Sequence, residues 1–261
     1  MDGAFLFSLG MRISALQYDI QWENNEANYR LVEELLQQVE NPDLIILPEM
    51  FNTGFSMEAS KLAETMEGPS VKKLESWANQ TDAKVMASLI IEEDGNYYNR
   101  IVCTSPGGQI FTYDKRHLFA FGGESRPYTQ GFDLSLLSVA EMNCLPLICY
   151  DLRFPSWARY RQDLNYDVII YVASWPQRRI YAWNTLLKAR AIENQCYVIG
   201  VNRIGMDDSD VHYPGDTQVV DYTGQVLKSI NEAGVLNYEL DKDKLDDFRK
   251  AYPFLDDRDI M

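Results

Sequence analysis

Three side chains have the types and placement to break a bond: the thiol of Cys149, the carboxylate of Glu49 and the ammonium of Lys115. Cys149 closes the apolar run Leu145-Pro146-Leu147-Ile148 and is followed by Tyr150-Asp151-Leu152-Arg153-Phe154-Pro155. A thiol there would sit beside the N-terminus of a helix expected over 156–164, with Arg153 close by. Both influences favour the thiolate, the reactive form. A buried cysteine on its own more often simply packs. Glu49 ends the run Leu44-Ile45-Ile46-Leu47-Pro48, and Lys115 lies just past a strand expected over 109–113. Taken singly, each reads as a strand-end charge reaching solvent. All three, however, occupy the same kind of place, the C-terminal end of an apolar strand, where open α/β sheets gather their sites.

Those residue types suit acyl transfer. An amide carbonyl is a poor electrophile and an amide ion a poor leaving group. Hydrolysis needs an activated nucleophile, a proton for the departing nitrogen and a positive partner for the oxyanion. The thiol, the carboxylate and the ammonium supply one each. The backbone N–H of Tyr150, directly after the thiol, is a natural second oxyanion donor.

The elements that must position these groups can be read in order. Arg12 to Tyr18 is the first strand. Asn25 is the expected cap of a helix to about Val39, with Ala27, Leu31, Leu35 and Val39 at four-residue spacing. Residues 43–47 are short and continuously apolar, the pattern of a strand buried on both faces. Ser70 is the expected cap of a helix to about Asn79. Residues 83–91, 97–104 and 109–113 form a meander, turned at Asp94-Gly95-Asn96 and Pro106-Gly107-Gly108. A loop runs from Arg116 to Asp133. Strands follow at 134–139 and 145–150, then the helix at 156–164, a strand at 168–173, a helix at 179–194 and a strand at 196–202. Three strand-like runs (217–222, 225–230, 235–239) and a polar helix at 241–251 complete the chain. Strands and helices alternate loosely, which makes the class α/β with mixed sheets in one domain.

Composition narrows the chemistry. The 261 residues carry 24 basic and 39 acidic side chains, a net charge of −15, against nucleic acid and anionic membrane as partners. The four cysteines, Cys103, Cys144, Cys149 and Cys196, form no CxxC pair, so neither a disulfide scaffold nor a zinc site is expected. Cys103, Cys144 and Cys196 read as core residues. No stretch has the length of a membrane helix, and Met1 to Gly10 has no basic region and too short an apolar run for a secretory signal. Residues 1–10 are expected to be an N-terminal extension, residues 11–261 one domain, and the compartment cytoplasmic. Gly122-Gly123 lacks a phosphate-loop context. His117 and His212 invite a Cys–His protease reading, which the surroundings of Cys149 do not support.

The segments LPEMFNTGF (47–55), YDKRHLF (113–119), ICYDLRFP (148–155), ASWP (173–176) and KARAIENQCYVIGVNRIG (188–205) resemble the nitrilase superfamily of carbon–nitrogen hydrolases. The resemblance spans about Met11 to Tyr252. Within it, PEMFNTGFSM and HYPGDTQVV (212–220) are similar to the omega-amidase branch, which hydrolyses the terminal amide of 2-oxo dicarboxylic acid monoamides such as 2-oxoglutaramate. The resemblance implies an αββα sandwich, pairing into a homodimer, a small-molecule amide substrate, and no metal or organic cofactor. It implies Cys149 as nucleophile, Glu49 as base and Lys115 as oxyanion partner, with Glu124, seven residues before Gly131, orienting Lys115. Tyr150, Ser174 and Trp175 are the expected substrate-binding residues. Phe51, Phe55, Phe119 and Phe121 are candidates for an apolar wall, or for core. Arg116, Arg126, Arg178 and Arg179 are candidates for holding a substrate carboxylate. Two other readings stand beside this one: an N-carbamoyl amidase or nitrilase using the same triad, and a catalytically idle member that binds a ligand.

Overall fold

Alternation along short strands decides the layering. In β2 (Leu44–Ile46), Leu44 and Ile46 face one buried cluster while Ile45, with Leu47 beyond it, faces another. A strand apolar on both sides must be covered on both sides. The computed structural model, which describes residues 10–161 and 163–258, shows what covers it.

The first half of the chain supplies β1 (Gly10–Gln17), β2, β3 (Lys84–Glu93), β4 (Asn96–Thr104) and β5 (Ile110–Asp114). The second supplies β6 (Leu137–Val139), β7 (Met142–Ile148), β8 (Val168–Ala173), β9 (Tyr197–Asn202), the ribbon strands β10 (Ile204–Met206) and β11 (His212–Pro214), then β12 (Thr217–Val220), β13 (Val226–Ile230) and β14 (Gly234–Asp241). One six-stranded sheet has the order β14-β1-β2-β3-β4-β5, the other β13-β12-β9-β8-β7-β6. Each has a parallel heart, β1-β2-β3 and β7-β8-β9, flanked by antiparallel strands. The shared core lies between them, where Met11, Ile13, Leu44, Ile46 and Met86 join the cluster of Leu145, Leu147 and Ile170.

The outer face of the first sheet is covered by α1 (Asn25–Leu35) and α3 (Pro69–Thr81), through Tyr29, Val32, Leu74 and Trp77. The second carries α5 (Ile180–Asn194), whose Trp183 and Leu187 press on Gly200; a Cβ there would come within 2.6 Å of both. Short helices α2 (Ala59–Leu62) and α4 (Pro155–Ala158) and a C-terminal α6 (Lys242–Ala251) complete the αββα sandwich of the expected type.

Several local expectations are corrected. Gly10 is the first residue of β1, paired with Asp241, rather than part of an extension; residues 1–9 lie outside the described residues. Asn24, not Asn25, caps α1, its side chain accepting from Ala27 N at 3.1 Å. Ser70 lies inside α3, which starts at Pro69. Its hydroxyl is spent on Tyr29 (2.6 Å) and Glu64 (2.6 Å). The helix expected over 156–164 is only the four residues of α4, because tertiary partners take its backbone. Asn194 accepts from Tyr160 N at 2.9 Å, and the Tyr166 hydroxyl donates to the Ala158 carbonyl. The β10–β11 ribbon had no sequence signal strong enough to read.

Candidate active site

Glu49 and Lys115 leave the ends of β2 and β5 in one sheet, and Cys149 the end of β7 in the other. The site therefore exists only where the two sheets meet. Met50 after Glu49 (φ 48°) and Cys149 itself (φ 42°) occupy the left-handed region, which is costly for residues with a Cβ and needs support from neighbours. At Cys149 the support is Asp151. Its buried carboxylate accepts from Ile148 N (3.1 Å), the Tyr113 hydroxyl (2.8 Å) and His117 N (2.9 Å), and pairs with His117 Nδ1 (2.8 Å). One carboxylate thus ties the cysteine turn to the segment that carries Lys115.

Lys115 is placed from two further sides. Its N–H donates to Asn99 O at 2.9 Å, and its carbonyl accepts from Gly131 N at 2.9 Å. Gly131 is obligatory there, since a Cβ would collide with the Asp114 carbonyl. The ammonium is buried and all three of its protons face carboxylate oxygens: Glu49 Oε1 at 2.8 Å, and Glu124 Oε1 and Oε2 at 2.9 Å each. Asn99 Nδ2 bridges the same carboxylates, at 2.9 Å to Glu49 and 3.0 Å to Glu124. Its carbonyl is turned by the Ser88 hydroxyl at 2.8 Å. Ser174 N donates to the other Glu49 oxygen at 2.8 Å. Glu49, Lys115 and Glu124, read from separate segments, are thus gathered into one buried cage, with Cys149 opening onto the same cleft.

Charge in this cage follows from burial. Burial alone would lower Lys115, but Glu124 and then Glu49 outweigh it and hold the ammonium well above its ordinary range. Burial, partly offset by Lys115, raises Glu124. Cys149 is pushed well above the usual thiol range by burial first, then by Glu49, with Lys115 pulling the other way. The helix expected to favour the thiolate is one turn long, and burial and then Glu49 act the other way, favouring the protonated thiol beside its candidate base.

The cleft above has a volume of about 420 Å³. Phe55, Phe119, Tyr150 and Trp175 line it, whereas Phe51 is packed in the core against Tyr29 and Trp77, so Phe51 leaves the candidate wall. Phe121 is exposed and lines only an outer hollow. Ser174 lines the cleft while its N–H holds Glu49, and Trp175 is anchored through Nε1 to the Arg179 carbonyl at 2.8 Å. Of the four arginines singled out as carboxylate partners, Arg116 is stacked on Phe132 and Trp157 with a bond to Gly131 O, and Arg126 lines other hollows. Arg178 and Arg179 line the cleft, joined by Arg153. His117 is stacked on Phe154 (centroids 3.8 Å apart) and does not line the cleft; His212 is exposed on β11. Cys103, Cys144 and Cys196 are buried in the core.

Sequence reasoning missed Asn99, Asp151 and the loop residues Asp207, Asp208, Ser209 and Val211 that line one side of the cleft. Asn99 had a signal: an asparagine opening the buried run Arg100-Ile101-Val102-Cys103 must spend its amide on something.

Two mixed sheets face to face, with a thiol beside a carboxylate–ammonium cage at their joined strand ends, define an α/β sandwich hydrolase with its chemistry between the layers. The chain matches the carbon–nitrogen hydrolase family over residues 12–250 and belongs to it. It is 39% identical to an omega-amidase YafV of Yersinia enterocolitica over 95% of this chain and 97% of that one. It is 30% identical to a 2-oxoglutaramate amidase of Bacillus subtilis over 94% and 96%. Among solved structures, XC1258 of Xanthomonas campestris, a CN-hydrolase superfamily protein crystallised with an arsenic adduct in its active site, superposes with a TM-score of 0.94. It is 38% identical, over 97% of this chain and 98% of that one.

Proposed function

We propose that this chain is an omega-amidase that hydrolyses the terminal amide of small 2-oxo dicarboxylic acid monoamides, 2-oxoglutaramate and 2-oxosuccinamate, to the dicarboxylate and ammonia. The observation that carries the reading is the cage of Lys115, Glu49 and Glu124 beside Cys149, in a chain similar to omega-amidases along nearly its whole length.

In the first half-reaction Glu49 takes the Cys149 proton as Sγ attacks the amide carbon. Lys115, aided by the Tyr150 N–H, balances the oxyanion. All three lysine protons already face carboxylates, so Lys115 contributes chiefly its fixed charge, or exchanges one bond as charge develops. The C–N bond then breaks and Glu49 returns its proton to the leaving nitrogen, releasing ammonia and a thioester. In the second half-reaction Glu49 removes a proton from water, hydroxide adds to the thioester, the C–S bond breaks and Sγ regains its proton. Glu124 keeps Lys115 in place. Positioned acid–base help of this kind is typically worth ~10²–10⁴-fold. No step calls for a metal or organic cofactor.

The test is ammonia release from 2-oxoglutaramate, with glutamine, N-carbamoyl amino acids and simple nitriles as comparators and Cys149→Ala as control. Release from the oxo-amide that is absent in the variant is the expected outcome. Turnover of a different comparator alone would keep the triad and overturn the substrate, and no turnover of any would favour the idle, ligand-binding reading.

The same proposal takes the chain from Gly10 onward as one domain, a homodimer in solution and a cytoplasmic setting. Pairing is supported by exposed Tyr181 and Ile192 on α5. Exposed Tyr252 lies near the C-terminal end of α5, where Gln195 donates to its carbonyl at 2.8 Å, with exposed Phe254 just beyond it. All four cysteines are unpaired, and among the described residues no helix is long and apolar enough to cross a membrane.

A further inference from the structure

The cage fills its carboxylate oxygens unevenly. Glu49 Oε1 accepts from Lys115 Nζ (2.8 Å) and Asn99 Nδ2 (2.9 Å). Glu124 Oε1 accepts from Lys115 Nζ (2.9 Å) and Asn99 Nδ2 (3.0 Å), and Glu124 Oε2 from Lys115 Nζ (2.9 Å) and the Phe119 N–H. Glu49 Oε2 accepts from Ser174 N, at 2.8 Å, and from no other donor among the described residues. An ionised carboxylate offers about two acceptor positions on each oxygen. Three of the four oxygens are therefore full, and Oε2 of Glu49 keeps the open position. It is also the oxygen on the side of the nucleophile. The Ser174 N–H that binds it acts on the Cys149 thiol as well, and Glu49 is the carboxylate whose charge bears most on that thiol.

Asn99 gives both N–H groups of its amide to this arrangement, and its orientation is fixed from outside the cage. The Ser88 hydroxyl accepts from Met50 N at 2.9 Å, so its single proton goes to Asn99 Oδ1 at 2.8 Å. The oxygen end of the amide is committed to Ser88 and the nitrogen end to the two carboxylates. The Asn99 backbone carbonyl accepts from Lys115 N at 2.9 Å, so the residue that fills these oxygens also seats the cation. Burial raises Glu124; Lys115 pulls it back, and the hydrogen bonds from Phe119 N–H and Asn99 act in the same direction as Lys115. The phenols near the cage are already spent. Tyr128 and Tyr213 are raised by burial and stay neutral, their hydroxyls given to the Ser56 carbonyl (2.6 Å) and to Asp207 (2.8 Å).

We propose that Asn99 is a positioning residue of the reaction: by filling Oε1 of both Glu49 and Glu124, it leaves Oε2 of Glu49 as the one oxygen that exchanges protons with Cys149, the leaving nitrogen and water. Asn99 does not line the cleft and acts through Glu49, so the inference rests on the base role of Glu49 in the amidase reading. The S–H bond of Cys149 breaks as an O–H bond forms at Oε2, and that proton leaves on ammonia. The same oxygen then takes a proton from water and returns it to Sγ. Loss of Asn99 opens a position on each Oε1. A proton held there neutralises the cage without being in reach of the reacting atoms.

The experiment follows Asn99→Leu, similar in size but without N–H groups, and Asn99→Ser, smaller and with one donor. With 2-oxoglutaramate, kcat should fall about 30-fold in Asn99→Leu while KM stays within about twofold. The acidic limb of the pH profile should move up by about one unit, because carboxylates that lose a donor take up a proton more readily. Asn99→Ser should lie between the wild type and Asn99→Leu in both respects. An acidic limb that stays in place, or a loss carried by KM, would overturn the assignment while leaving the amidase reading intact. If the wild type turns over no amide, that reading fails separately and denaturant unfolding decides. The destabilisation caused by Asn99→Leu should be largest near about pH 8 and shrink toward about pH 5, since the native variant binds more protons than the native wild type. A destabilisation equal at both would mean that Asn99 serves packing only, and would remove the proposal. Should Asn99→Leu fail to fold, Asn99→Ser carries both measurements, with the same signs and smaller changes.

Discussion

The floor and the rim of one cleft treat positive charge in opposite ways. Lys115 is buried, and all its protons are committed to Glu49 and Glu124. At the rim, Arg153 lies over the Trp175 ring and Arg179 over the Phe119 ring, and among the described residues neither is paired with a carboxylate. The difference follows from solvation. A fully buried ion must find its compensation inside the protein, because water cannot supply it. A rim ion keeps some water until a ligand replaces it. The committed cation is therefore suited to charge that appears only during reaction, and the uncommitted ones to charge the substrate brings.

The sharpest way to probe the floor is Cys149→Ala, expected to lower turnover by about 10⁴-fold or more while thermal unfolding stays near that of the wild type. A variant that still turns over would detach the cage from the chemistry. Lys115→Met tests commitment directly. It strands two carboxylates in a dry site and should lose about 3–5 kcal/mol of stability as well as activity, read by denaturant unfolding. Adding Glu124→Gln to it should return much of the stability without returning turnover. Stability unaffected in the single variant would mean that the floor is as wet as the rim.

A smaller effect concerns the thiol. With Cys149 raised by burial and Glu49, its thiolate fraction should still be growing about tenfold per pH unit above neutral pH. Iodoacetamide should label it slowly at neutral pH, with a rate still climbing beyond the range of ordinary thiols. A rate already level at pH 7 would mean a resting thiolate paired with Lys115. The smallest expected change belongs to exposed Arg178. Arg178→Ala should lower kcat/KM for an anionic amide about two- to threefold, a difference that disappears in about 1 M salt. A loss that persists at high salt would place Arg178 in contact with the substrate.

Much of this was legible because strand ends are legible. Continuous apolar runs before Glu49 and Cys149, and a meander before Lys115, located the three groups without a contact being known. What failed was local chemistry that depends on distant partners. The helix after Cys149 is cut short by Asn194 and Tyr166, and the thiol follows burial and Glu49 rather than a helix terminus. The role of Asn99 rests on carboxylates 50 and 25 residues away.

By itself, then, the chain order of residue types determined most of the strands and helices, an α/β class with mixed sheets, and which groups stand at the strand ends, while the two-sheet sandwich was implied by the family resemblance. The strands, helices and strand ends depend on periodicity and turn chemistry within a few residues. Only the tertiary structure decided that Glu49 and Lys115 of one sheet meet Cys149 of the other. It also chose among the arginines, turning Arg179 to the cleft and Arg116 away. Those outcomes depend on how two sheets approach across a shared core, and on how much water that approach leaves around each charge.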